Sequence, residues 1–302
     1  MTAGVSKAVA TARARASPRL QAAGVAMIVA STVAIAIVPT FAKMAFNGGS
    51  NTLTIITGRS ILSIVITMAL ILALRQPLRI ARSAVLTSLA MGVTYAVMLY
   101  GYLGAVQFLP VNLVILIYFI HPLLVGLIVA GLGQEQLSLF SIAAPVLALT
   151  GLGLAIGFSF ASPNPKGLAL AALAMVMVAV TIVGNASAMK QAPGLSVVFY
   201  MMLSAAIVLT ALFVVFGALA LPTTSMSWLG LIGVAVAATA GTLMFNCGME
   251  FVGAARAAMI SNLEPVLGVL FSLTVLGERV TLLQGAGIVM VLASITAMEL
   301  RR

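Results

Sequence analysis

The sequence predicts an all-α membrane protein of about ten transmembrane helices, arranged as two inverted five-helix repeats around a central cavity. Three observations predict it. Apolar runs of spanning length recur along the chain with only short polar breaks. Lys and Arg gather in alternate breaks. Residues 108–150 recur as residues 251–293 at a constant offset, so that Phe108 meets Phe251.

Composition identifies the solvent. Of 302 residues, 63% are hydrophobic and 7% are charged; mean hydropathy is +1.24. A soluble domain carries about a quarter of its residues as charges. A water-soluble fold cannot hide this much apolar surface, so a lipid bilayer is the expected partner. The net charge of +10 invites a nucleic-acid reading. No basic patch is interleaved with aromatics, however, and the cations sit between apolar runs, where cytoplasmic loops place them. No nucleic-acid partner is expected.

Acid is scarcer. There is no Asp, and the Glu residues are Glu135, Glu250, Glu264, Glu278 and Glu299. His121 and Cys247 are single. One Cys excludes an intrachain disulfide. The inventory is too small for a catalytic triad, a metal cage or a carboxylate pair. No catalytic residue, cofactor or metal is expected, and the chain does not read as an enzyme.

Residues 1–21 form a basic tail with Lys7, Arg13, Arg15 and Arg19 and no acid. A targeting peptide can look like this. The apolar run that follows lacks a small-residue cleavage site, so an uncleaved first helix is expected. Spans of close to twenty residues fall at about 22–44, 52–74, 83–105, 111–132 and 139–160. They resume at about 167–189, 196–220, 227–248, 254–276 and 282–299. Turn chemistry separates them, as at Asn47-Gly48-Gly49, Ser162-Pro163-Asn164-Pro165 and Ala192-Pro193-Gly194. The first repeat is expected over 22–160 and the second over 167–300.

Ten spans put both termini on one side. With that side cytoplasmic, the inside segments hold Lys7, Arg13, Arg15, Arg19, Arg75, Arg79, Arg82, Lys190, Arg256, Arg301 and Arg302. The outside segments hold Lys43, Arg59, Lys166 and Arg279. The bias follows the positive-inside rule. Five helices per half is an odd number, so the second copy enters the membrane from the opposite face. Inverted repeats of this kind are common among secondary transporters and underlie alternating access.

The repeat carries a family likeness. The first copy reads Ile117-Tyr118-Phe119-Ile120-His121-Pro122, then Gln134-Glu135-Gln136-Leu137-Ser138. The second reads Asn262-Leu263-Glu264-Pro265-Val266, then Gly277-Glu278-Arg279-Val280-Thr281. Gly151-Leu152-Gly153 and Gly285-Ala286-Gly287 mark the closing helices, Lys43 follows the first helix, and Arg59 lies in the second. This pattern resembles the EamA-type carriers of the drug/metabolite transporter superfamily over nearly the whole chain. The first copy departs from it at Gln134, where the second has Gly277. The resemblance implies a ten-helix carrier of the bacterial inner membrane that exports or exchanges amino acids, nucleobase-like metabolites or drugs, as a monomer or homodimer. Protons are a candidate coupling ion. A non-coupled channel and an intramembrane enzyme are the alternatives.

Ionisable groups inside spans are the first candidates for the site, because they are costly in lipid and usually face a cavity. Glu264 is the sharpest, with Pro265 as a kink. It could exchange a proton or meet a cation; alternatively it bonds a carbonyl freed by the kink. His121 is its repeat partner, beside Pro122, and either titrates or packs. Arg59 suits a substrate carboxylate or a structural tie. Tyr95, Tyr118, Asn185, Asn246 and Asn262 line a cavity or serve as interhelical glue, and Tyr100 and Tyr102 share that choice. Trp228 reads as an interfacial anchor, Glu135 and Glu278 as helix caps, and Gly153 with Gly157 as close packing or a dimer face.

Overall fold

The structure is a computed structural model that describes residues 18–106, 108–109, 111–133, 139–156, 164–217, 219–267 and 282–300. Among the described residues there is no strand. Among the described residues, seven helical segments are long and apolar enough to cross a membrane, one of them, Leu113–Gly131, with a break at residues 119–120. Helix is what lipid demands of an unpaired segment, since only a helix satisfies its backbone internally.

In chain order the helices are α1 (Pro18–Ala36), α2 (Val38–Asn47), α3 (Thr52–Ala73), α4 (Arg82–Val106), α5 (Val111–Tyr118) and α6 (His121–Gly131). They continue as α7 (Leu139–Ile156), α8 (Pro165–Met189), α9 (Gly194–Phe216), α10 (Ser225–Val252), α11 (Ala254–Ile260) and α12 (Leu282–Leu300). The runs at 52–74, 83–105, 167–189 and 196–220 become α3, α4, α8 and α9. The run at 227–248 extends to Val252, where Gly253 at φ 85° stops α10. The run at 254–276 is described only to residue 267. Glu135, Glu278, Gly157 and the basic residues before Pro18 lie outside the described residues, as do the side chains of Lys43 and Glu299.

Three expected spans are interrupted. The first divides at Ile37, with Pro in the opening turn of α2, a position where the missing N–H costs no helix bond. The spans at 111–132 and 254–276 divide beside Pro122 and Pro265.

The chain forms two compact units. Unit one is Met1–Ala96 with Gly184–Gly253, and unit two is Val97–Val183 with Ala254–Arg302. Each unit draws on both halves of the sequence.

Lipid supplies no hydrophobic force between helices, so close approach and hydrogen bonds hold them. In unit one, α10 packs along α1 and α2 through glycines. A methyl group on Gly248 would lie 2.7 Å from the Gly24 carbonyl oxygen, and one on Gly24 would lie 2.8 Å from Phe251 Cβ. Further along, a methyl on Gly230 would come within 2.6 Å of the Phe41 carbonyl oxygen. Ser63 of α3 and Thr239 of α10 share a hydrogen bond of 2.5 Å. In unit two, α7 and α12 meet the same way. Gly151 faces the Gly287 carbonyl, and Ser294 donates to the Ala144 carbonyl. Small residues fill these seams while large ones such as Leu72, Ile207, Val214 and Phe216 are exposed, the reverse of a soluble fold and a match for acyl chains.

The seam gives the first prediction. Gly248→Ala places a methyl against backbone that has no rotamer to yield, at a cost of about 1–3 kcal/mol. The variant should show a lower thermal midpoint in detergent. Gly285→Ala meets open space and should unfold with the wild type.

Candidate functional site

The two interrupted spans of unit two solve one backbone problem in two ways. An α-helix needs the amide of residue i to bond the carbonyl of residue i−4. Proline has no amide hydrogen. Pro122 therefore orphans the Tyr118 carbonyl, and Pro265 orphans the Ser261 carbonyl.

At the first break, the His121 ring answers. Its Nδ1 lies 3.0 Å from the Tyr118 carbonyl oxygen. A carbonyl can only accept, so Nδ1 carries the proton, and in the neutral ring Nε2 is left as an acceptor. The local backbone tightens to three-residue bonds, Ile120 to Ile117 at 3.1 Å and Leu123 to Ile120 at 3.0 Å. His121 is 3% exposed. Its ring packs against Tyr118 and Phe119, with centroids at 5.1 and 5.7 Å.

At the second break, backbone answers instead. The Glu264 amide donates to the Ser261 carbonyl at 2.9 Å, and the Asn262 amide to Met259 at 3.2 Å. The orphaned carbonyl is thus met without the Glu264 side chain. Asn262 is buried, its amide group 3.4 Å from the Met259 sulfur. Phe119 from the first break shares one apolar cluster with Met259 and Val266 from the second, and Tyr118 and Leu263 pack against it. Tyr102 of α4 stacks edge-on with Tyr118 at 5.1 Å and lies within electrostatic reach of Glu264. Unit two therefore gathers His121, Tyr118, Tyr102, Asn262 and Glu264 around paired breaks.

Unit one holds the other candidates. Arg59 of α3 donates to the Tyr95 hydroxyl of α4. Asn185 of α8 donates to Asn246 of α10 at 2.9 Å, and Asn246 donates to the Thr242 carbonyl at 2.8 Å. The asparagine pair has the geometry of interhelical glue. A cleft of about 280 Å³ is lined by residues including Met27, Leu70, Leu74, Gly194, Cys247 and Glu250.

Residues 165–299 match the EamA-like transporter family. Over that segment the chain is similar to EamA-type carriers. A crystal structure described only as that of a protein superposes with a TM-score of 0.79 at 17% identity, covering 92% of this chain and 99% of that one. At that identity the likeness concerns the fold. No curated protein matches the chain.

The sequence candidates divide between units. Arg59, Tyr95, Asn185 and Asn246 fall in unit one; His121, Tyr118, Asn262 and Glu264 fall in unit two. Tyr100 is 54% exposed and points away from its unit. Glu250 was visible in the sequence only as an acid. The structure sets its carboxyl against Gly194 at the start of α9, where a helix N-terminus favours negative charge. Nothing in the sequence joins positions so far apart. The Ser63–Thr239 bond was equally hidden.

The first break gives the second prediction. His121→Phe keeps the aromatic packing but removes the donor to the Tyr118 carbonyl, at a cost of about 1–3 kcal/mol. Its thermal midpoint should drop, and His121→Asn, which retains a donor, should recover part of the loss.

Proposed function

We infer that the chain is a secondary transporter that exports a small metabolite across the bacterial cytoplasmic membrane by alternating access. In this reading residues 22–160 and 167–300 are two inverted five-helix repeats that follow a cytoplasmic tail at 1–21, and both termini face the cytoplasm.

The observation that carries the reading is the pair of breaks at residues 119–120 and 261–262. They fall at matching positions of the two repeats, one residue apart in register. Interrupted helices at corresponding places in two repeats are where transporters build their binding sites, because freed backbone and polar groups are tolerated only around a cavity. The match to a transporter family over residues 165–299 supports it independently.

Within the second break, Glu264 is the coupling group. An ionisable residue persists inside an apolar span when it works there, and the carbonyl that could have given it a structural role is bonded to its own backbone amide. Among the described residues its carboxyl has no hydrogen-bond partner. His121 has a structural task, so it positions the break while Glu264 exchanges the proton.

The test is flux in proteoliposomes under imposed pH gradients, with the cargo first found by metabolomic profiling of cells that overproduce the chain. Glu264→Gln should reach wild-type membrane levels and lose gradient-driven flux. Wild-type flux in that variant at every external pH removes Glu264 from the mechanism. His121→Asn should lower the amount of folded protein and leave the pH profile of the flux unchanged.

A further inference from the structure

Unit one contains a cation inside a span with no anion of its own. Arg59 lies seven residues beyond Thr52, where α3 begins, which is about 10 Å into the helix. Arg75, Arg79, Arg82 and Lys190 of the same unit are exposed at helix ends or in turns, within reach of water and headgroups. Arg59 is half-buried.

The chain has no Asp, and of its five Glu only Glu250 belongs to unit one. Glu250 lines the cleft beside Leu70 and Leu74. Leu70 is 11 residues beyond Arg59 on α3, about 17 Å along the axis. That carboxylate cannot pair with Arg59.

The partner Arg59 does have is neutral. Among the described residues its guanidinium bonds the Tyr95 hydroxyl and no carboxylate. One hydroxyl meets one of five N–H donors. As an acceptor from Arg59, the hydroxyl also keeps its own proton free to donate. The pair therefore presents a guanidinium fork and a phenol O–H together, the donor set that fits a carboxylate or phosphate oxyanion. A neutral or cationic occupant leaves the guanidinium uncompensated in a low dielectric, where that is most costly.

We propose that Arg59 and Tyr95 form an oxyanion-recognition pair and that the cargo is a small organic anion. The cargo half rests on the carrier reading above; the recognition half does not.

The full chain, purified in detergent, is titrated by thermal unfolding with benzoate and phenyl phosphate, and with benzamide and benzylammonium as neutral and cationic matches at constant ionic strength. A second arm adds phosphatidylglycerol or phosphatidylcholine. The anions should raise the midpoint saturably and their matches should not. Arg59→Gln should weaken anion binding by about 10- to 100-fold, Arg59→Lys by less, and Tyr95→Phe by a smaller factor. Should Arg59→Gln fail to fold, the Lys and Phe variants carry the comparison. Equal stabilisation by anion and amide, or an undiminished anion effect in the Arg59 and Tyr95 variants, overturns the pair. A response to phosphatidylglycerol alone assigns the oxyanion to a lipid headgroup and overturns the cargo claim. No gradient enters the measurement, so saturable anion binding without flux in proteoliposomes removes the carrier reading and leaves the anion site standing.

Discussion

In a bilayer, every backbone N–H and C=O must find a partner inside the protein, because no water is present to supply one. The rest of this structure follows from that requirement. It makes the described elements helices. It makes two prolines consequential, since each removes a donor in the middle of an apolar run. It also decides which side chains are committed. The Tyr118 carbonyl recruits the His121 ring, whereas the Ser261 carbonyl is met by backbone. Two residues that look equivalent in the repeat therefore differ in freedom. One side chain is tied to the freed carbonyl, and the other is not.

Association between helices obeys a different rule. Lipid tails are as apolar as leucine, so burial of large side chains gives little net attraction and proximity matters more. The glycine seam of α10 and the Gly151–Gly287 approach of α7 and α12 are the outcome. Hydroxyl and amide bonds such as Ser63–Thr239 and Asn185–Asn246 add direction to that contact.

Much of this was legible in the sequence, and the reasons are physical. Span positions follow from hydropathy, so α3, α4, α8 and α9 emerge close to their expected ends. Pro122 and Pro265 announced that something happens mid-span, because the loss of a donor is a local property. What happens there was not legible. Whether the ring or the backbone takes the freed carbonyl depends on local geometry that composition does not encode. The Arg59–Tyr95 bond and the setting of Glu250 were hidden for a further reason: they join helices far apart in the chain, and one sequence carries no record of which faces meet. The two compact units make the same point. Each mixes both sequence halves, so contiguity in the chain is a poor guide to contiguity in space.

The place of Cys247 has a practical consequence. The chain carries a single sulfhydryl, and it lies on the wall of the unit-one cleft between α1, α3, α9 and α10. Most proteins must be stripped of cysteines before one spectroscopic label can be placed without ambiguity. This chain arrives in that condition. A nitroxide or fluorophore on the unaltered protein would report from one address, where four helices of one unit converge.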